Sequence, residues 1–128
     1  MSSKTNTGNF FEDFQIGQEI IHATPRTVTE GDVSLYTALY GMRFAVQSSD
    51  ALAGDLGLPG APIDDFLVFH IVFGKTVPDI SLNAVANLGY ANGVFGAPVY
   101  PGDTLSTTSE VIGLKENSNG KTGVVYVR

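Results

Sequence analysis

Residues 63–77 read IDDFLVFHIVFGKTV, and the way this stretch folds decides the architecture. Ile63, Phe66, Leu67, Val68, Phe69, Ile71, Val72 and Phe73 leave no clean polar face. Pro62 suits the first turn of a helix and Pro78 stands just past its end. A helix that is apolar all round is normally enclosed all round. The expectation is therefore a long buried helix.

Downstream the period shortens. Residues 82–99, 104–116 and 121–128 read as three long strands, with Pro101-Gly102-Asp103 as one turn and Asn117-Ser118-Asn119-Gly120 as the other, where Asn-Gly is a strong hairpin signal. Gly89, Gly93 and Gly96 inside the first of these suggest bulges or close backbone approach. Upstream, residues 1–9 read as a frayed terminus and residues 19–24 as a strand that carries His22, at an edge or exposed. Thr29 can cap a helix that Gly41 ends. Ser49 or Asp50 can cap a short helix through Leu56, and residues 57–62 form a loop. The whole is an α+β pattern, a curved antiparallel sheet wrapped around one helix, and residues 10–128 form a single domain.

The 128 residues suffice for one core without staples. Hydrophobic residues at 43% and charged residues at 16% argue against disorder. A formal net charge of −6 disfavours nucleic acid and anionic membrane as partners. The absence of Cys excludes disulfides, thiolate catalysis and Cys-ligated metal, and His22 and His70 lie too far apart in sequence to suggest a metal cluster. The first residues lack an apolar signal core, and the longest apolar run is too short to span a bilayer. The cytoplasm is the simplest compartment.

A buried helix followed by long antiparallel strands is the hotdog arrangement. FEDFQIGQEI at 11–20 resembles the opening of MaoC-like (R)-specific enoyl-CoA hydratases, and VYPGDTL at 99–105 resembles their P-G-D strand turn. The stretch DDFLVFHIVFGKTVPDISLNAVANLGYA at 64–91 is similar to the amino-terminal portion of the mesaconyl-CoA hydratase branch. The resemblance implies reversible addition of water to mesaconyl-CoA, giving β-methylmalyl-CoA, without a cofactor beyond the CoA carried by the substrate. Members of this branch carry two hotdog units in tandem. Because the sequence stops in mid-strand at Arg128, the expectation is the front half of a longer chain, paired with a second hotdog unit in tandem or as a homodimer.

Hydration needs an acid–base pair and donors for the thioester oxygen. The family supplies the pair from a G-D-x-N-P-x-H motif. The matching stretch is Gly41 to Gln47, in which Met42 holds the Asp position, Gln47 the His position, and Phe44 and Ala45 the Asn and Pro positions. Met42 cannot titrate, and Gln47 cannot take a proton from water. Either this is the non-catalytic half of a tandem enzyme, or another residue substitutes. Asp50 is the weak substitute, with a helix cap as its plainer role. Asp32 and the adjacent Asp64 and Asp65 read first as helix-start carboxylates, and His70 as a hydrogen-bonded core histidine.

For substrate binding, the start of the central helix is the place for a carbonyl acceptor, which singles out Pro62, Ile63 and Asp64. The resemblance places the oxyanion donor there, between Ile63 and Phe66. Arg43, Arg26 and Lys75 are candidates for CoA phosphates, and Phe44, Tyr36 and Tyr40 for an acyl tunnel. Two further readings stay open. A hotdog acyl-CoA thioesterase would use Asp64 or Asp65, and a non-catalytic CoA-binding or assembly module would need neither.

Overall fold

The computed structural model describes residues 7–41 and 44–128. They form two compact units, one from Met1–Thr24, Phe73–Gly89 and Ser106–Arg128, the other from Pro25–Val72 and Tyr90–Leu105.

In the first unit, β1 (Glu19–Ile21), β4 (Thr108–Glu116) and β5 (Gly123–Val127) make an antiparallel sheet in the order β1-β4-β5. Ile20 faces Ser109, and Leu114 faces Val125. The β4–β5 register slips between Val111 and Gly113, so one extra residue, Ile112, bulges outward and is half exposed while Val111 is buried. The connection between β4 and β5 is longer than a two-residue hairpin. The Asn119 side chain accepts from the N–H groups of Lys121 and Thr122, and Gly120 takes a positive φ of 61°.

The second unit pairs β2 (Arg26–Thr27) with β3 (Thr104–Leu105) and contains α1 (Glu30–Tyr40) and α2 (Asp50–Asp55). Its core is Val28, Ile63, Leu67 and Ile71, flanked by Val33, Tyr36, Val68, Val99 and Leu105. Each fully buried aliphatic side chain there contributes about 1.5–3 kcal/mol. Thr29 caps α1 through a reciprocal box with Asp32, and Gly41 ends it at φ 69° with its N–H on the Thr37 carbonyl. Ser49, rather than Asp50, supplies the cap of α2.

The central helix differs from expectation in three respects. It begins at Asp65, because Asp64 Oδ1 accepts the Phe66 N–H and holds Asp64 outside the first turn. It does not stop before Pro78. The α-helical part α3 (Asp65–Thr76) runs on into a π turn, Val77–Ser81, where a wider ring accommodates a residue that has no N–H to donate. Third, it is not enclosed. Only Leu67 and Ile71 of α3 are buried, Phe66 is 63% exposed, and His70 is exposed rather than a core histidine.

The expected strand at 82–99 is irregular, with Val85, Leu88 and Val94 well exposed. A strand is defined by its partner, and residues 91–97 find no backbone hydrogen bond among the described residues. The expected strand at 104–116 breaks into β3 and β4, and that at 19–24 ends at Ile21. Thr24, at φ 64°, turns the chain there.

Candidate functional site

The residues singled out from the sequence converge on the start of α3, inside the second unit. The 3-10 turn Ala45–Gln47 carries Gln47, whose Nε2 donates to the Ile63 carbonyl at 3.4 Å. Its Oε1 is enclosed and has no hydrogen-bond partner. An enclosed acceptor without a donor is rare in native proteins and costs about 1–3 kcal/mol. Met42 and Arg43 lie outside the described residues.

Asp50 is committed elsewhere, since its Oδ1 accepts the Ala61 N–H at 2.8 Å and ties α2 to the loop before α3. A carboxylate so engaged braces the loop. Pro62 and Ile63 are buried, and the Ile63 N–H is spent on the Val99 carbonyl at 2.8 Å. The Phe66 N–H is spent on Asp64. The N–H groups of Asp64 and Asp65 have no acceptor among the described residues, and they carry the positive end of the helix dipole. Any carbonyl oxygen received here would meet these two donors.

Asp64 also faces Tyr36. Burial first, and then the Asp64 carboxylate, push the Tyr36 hydroxyl above the ordinary tyrosine range, with a smaller contribution from Tyr40. Tyr36 and Tyr40 are in ring contact at 4.8 Å, one turn apart on α1. Asp65 points differently, as neighbours about 100° apart on a helix must. It is the single charged residue lining a groove of about 300 Å³ between Val68, Phe69 and Val72 on α3 and residues 93–97. Phe66 packs edge-on to Phe95 at 6.2 Å, and Phe69 edge-on to Tyr90 at 5.0 Å. Phe44 is 69% exposed.

Of the cations, Arg26 pairs with Asp32, and Lys75 lies in the last turn of α3. The Thr29 backbone N–H, its hydroxyl and Arg26 hold the Asp32 carboxyl below the usual range against a smaller effect of burial. Among the described residues, no three His, Asp or Glu side chains converge on a metal-sized site. No helix there is long and apolar enough to cross a membrane.

Sequence reasoning missed a polar array in the first unit. His22 is buried rather than exposed, with Nδ1 2.8 Å from Asp79 Oδ2 and Nε2 2.8 Å from Ser109 Oγ. The spacing is that of a nucleophilic triad, but Ser109 is 5% exposed and lines neither groove of the surface. The array braces the π turn. No local signal could have revealed it, because its members stand 57 and 87 residues apart.

Comparison with known proteins places this geometry. The chain is 76% identical over 127 residues to beta-methylmalyl-CoA dehydratase of Chloroflexus aurantiacus, covering 99% of this chain and 36% of that protein. It is 64% identical over 125 residues to mesaconyl-CoA hydratase of Cereibacter sphaeroides, covering 98% of this chain and 36% of the relative. Among solved structures, a Mycobacterium tuberculosis protein with a double hotdog fold superposes with a TM-score of 0.84 at 28% identity, over 94% of this chain and 38% of that one. The chain thus spans about a third of the length of the curated relatives it matches. The family profile described as "MaoC like domain" matches residues 13–128, and the chain belongs to that family.

Proposed function

We propose that this chain is the non-catalytic hotdog unit of an acyl-CoA hydro-lyase that, as a whole protein, hydrates mesaconyl-CoA reversibly to β-methylmalyl-CoA. In that reaction water adds its hydroxyl to one carbon of the double bond and a proton reaches the other. One group must take a proton from water and another must deliver one. The carrying observation is the pairing of 76% identity to a dehydratase with Gln47 where a base is required. An amide holds a water or a carbonyl in place and transfers no proton at neutral pH. The acid–base pair therefore belongs to a second hotdog unit.

What this unit contributes is binding. The Asp64 and Asp65 N–H groups receive a carbonyl oxygen of the CoA thioester, and the aromatic groove along α3 holds apolar atoms of the same ligand. Lys75 and Arg43 are the cations left for phosphate, since Arg26 is held by Asp32. No metal or redox group enters the chemistry, and the compartment is the cytoplasm.

The test is a mesaconyl-CoA hydration assay on the 128-residue chain and on a polypeptide of the relatives' full length. Turnover of roughly 1–10³ s⁻¹ is expected only for the longer protein. Turnover by the short chain at that rate would sink the reading.

The position of Asp65 in the groove favours one alternative, a hotdog thioesterase in which that carboxylate directs water at the thioester. Release of free CoA with the double bond intact separates the two. Binding of CoA thioester with neither outcome leaves a non-catalytic module.

A further inference from the structure

From Ile80 to Gly102 the sequence contains no Asp, Glu, Lys, Arg or His. Exposed edges normally carry charges that keep them from pairing with another chain. Here the second unit presents Val94 at 87% exposure, Phe95 at 50% and Phe66 at 63% on one flank, with Phe66 and Phe95 in edge contact. Residues 91–97 make no backbone hydrogen bond among the described residues. Unpaired backbone and contiguous apolar side chains, without a guarding charge, mark a surface that another strand covers.

We propose that residues 93–97, with the flank of α3 that carries Phe66 and Phe69, dock a second hotdog unit of the same polypeptide by strand addition. The inference rests on the functional reading above and names the surface through which the two units meet. The occupant follows from length and charge. The curated relatives are nearly three times as long as this chain, and a structural neighbour holds two hotdog units in one polypeptide. The covering strand must be uncharged against Val94 and Phe95, and it must bring one hydrogen-bond donor to Asp65, the single carboxylate in the groove. The backbone at Asn92, with φ 56°, sets where pairing begins, because a left-handed residue interrupts a regular ladder.

Hydrogen exchange on the 128-residue chain and on the intact Chloroflexus relative tests this, with mass measured by ultracentrifugation. The chain alone is expected to be a monomer whose amides at 93–97 exchange freely. The matching amides of the intact relative are expected to exchange at least about 100-fold more slowly, as in a paired strand. Free exchange in both proteins would overturn the docking surface. Slow exchange in the short chain, with a dimer mass that Val94→Lys abolishes, would overturn the chosen occupant in favour of a second copy. Hydration by the intact relative is measured separately, so loss of the functional reading and loss of the docking surface give different results.

Discussion

His22 Nδ1 stands 2.8 Å from Asp79 Oδ2, with the imidazole wholly buried and the carboxylate 29% exposed. An ionised carboxylate can only accept, so a neutral ring places its proton on Nδ1 and leaves Nε2 to accept from the Ser109 hydroxyl. Asp79 belongs to the π turn Val77–Ser81, and its carbonyl accepts from Asn9 Nδ2 at 2.7 Å. One histidine thus fixes the end of the long helix to β4, and the terminal segment to both.

His22→Ala is expected to lower the unfolding free energy by about 1–3 kcal/mol, mainly through the buried Ser109 hydroxyl, because water can relieve Asp79. His22→Gln should recover part of the loss. Urea denaturation midpoints check this. Identical midpoints for wild type and His22→Ala would show that the array carries no stability.

What the sequence made legible is what residues decide locally. Thr29, Gly41 and Ser49 act as caps because a cap needs only three or four neighbouring residues. Asn119-Gly120 turns the chain for the same reason. The stretch at 82–99 has strand composition, but forming a strand depends on a neighbour that residue order does not display. The enclosed helix fails on the same ground, since Phe66 is apolar whether or not anything covers it. The site was legible as chemistry missing at Gln47. Its geometry was not, because the Tyr36–Asp64 pair and the Asp50–Ala61 tie depend on how separate segments meet.

Gly123 is the tightest glycine of the sheet, since a Cβ there would overlap the ring of Phe11. Gly123→Ala must push the 3-10 turn Phe11–Asp13 away from β5. The expected cost is about 1–3 kcal/mol, read as a fall in melting temperature. Phe11→Ala in the same chain should remove most of that penalty, and a full penalty in the double variant would place the clash elsewhere.

Asp32 predicts a pH dependence. Its carboxyl titrates below the ordinary aspartate value, first because of the Thr29 backbone N–H. A lowered native pKa gives stability that is present above the unfolded value, near 4, and is lost as pH falls through the native one. Asp32→Asn should therefore lose stability at pH 7 and match wild type in strong acid. A gap that stays constant from pH 7 to pH 2 would mean that the cap acts without its charge. Thr29→Ala removes the partner and should cost about 1 kcal/mol at neutral pH.

Gln47 Oε1 carries a desolvation cost with no hydrogen bond to offset it. Gln47→Met keeps the length of the side chain and removes that oxygen, together with a 3.4 Å hydrogen bond at the long limit. A net gain of about 0.5–2 kcal/mol in unfolding free energy is expected, visible in urea. A loss of that size would mean that the amide is fully paired in solution.

Tyr36 and Asp64 make the last prediction. The Tyr36 hydroxyl titrates above the ordinary value, first through burial and then through the Asp64 carboxylate. Asp64→Asn removes the charge and leaves the burial, so the titration should move down part of the way toward the ordinary value near 10. Ultraviolet titration of phenolate follows it, with Tyr36→Phe identifying the band. A pKa raised in the folded state gives stability that is complete below the unfolded value and lost as pH rises through the native one. Wild type should therefore lose more stability above pH 10 than Tyr36→Phe does. If Asp64→Asn leaves the phenolate band unmoved, burial alone sets the Tyr36 titration. The carboxylate at the start of α3 then faces solvent instead of α1.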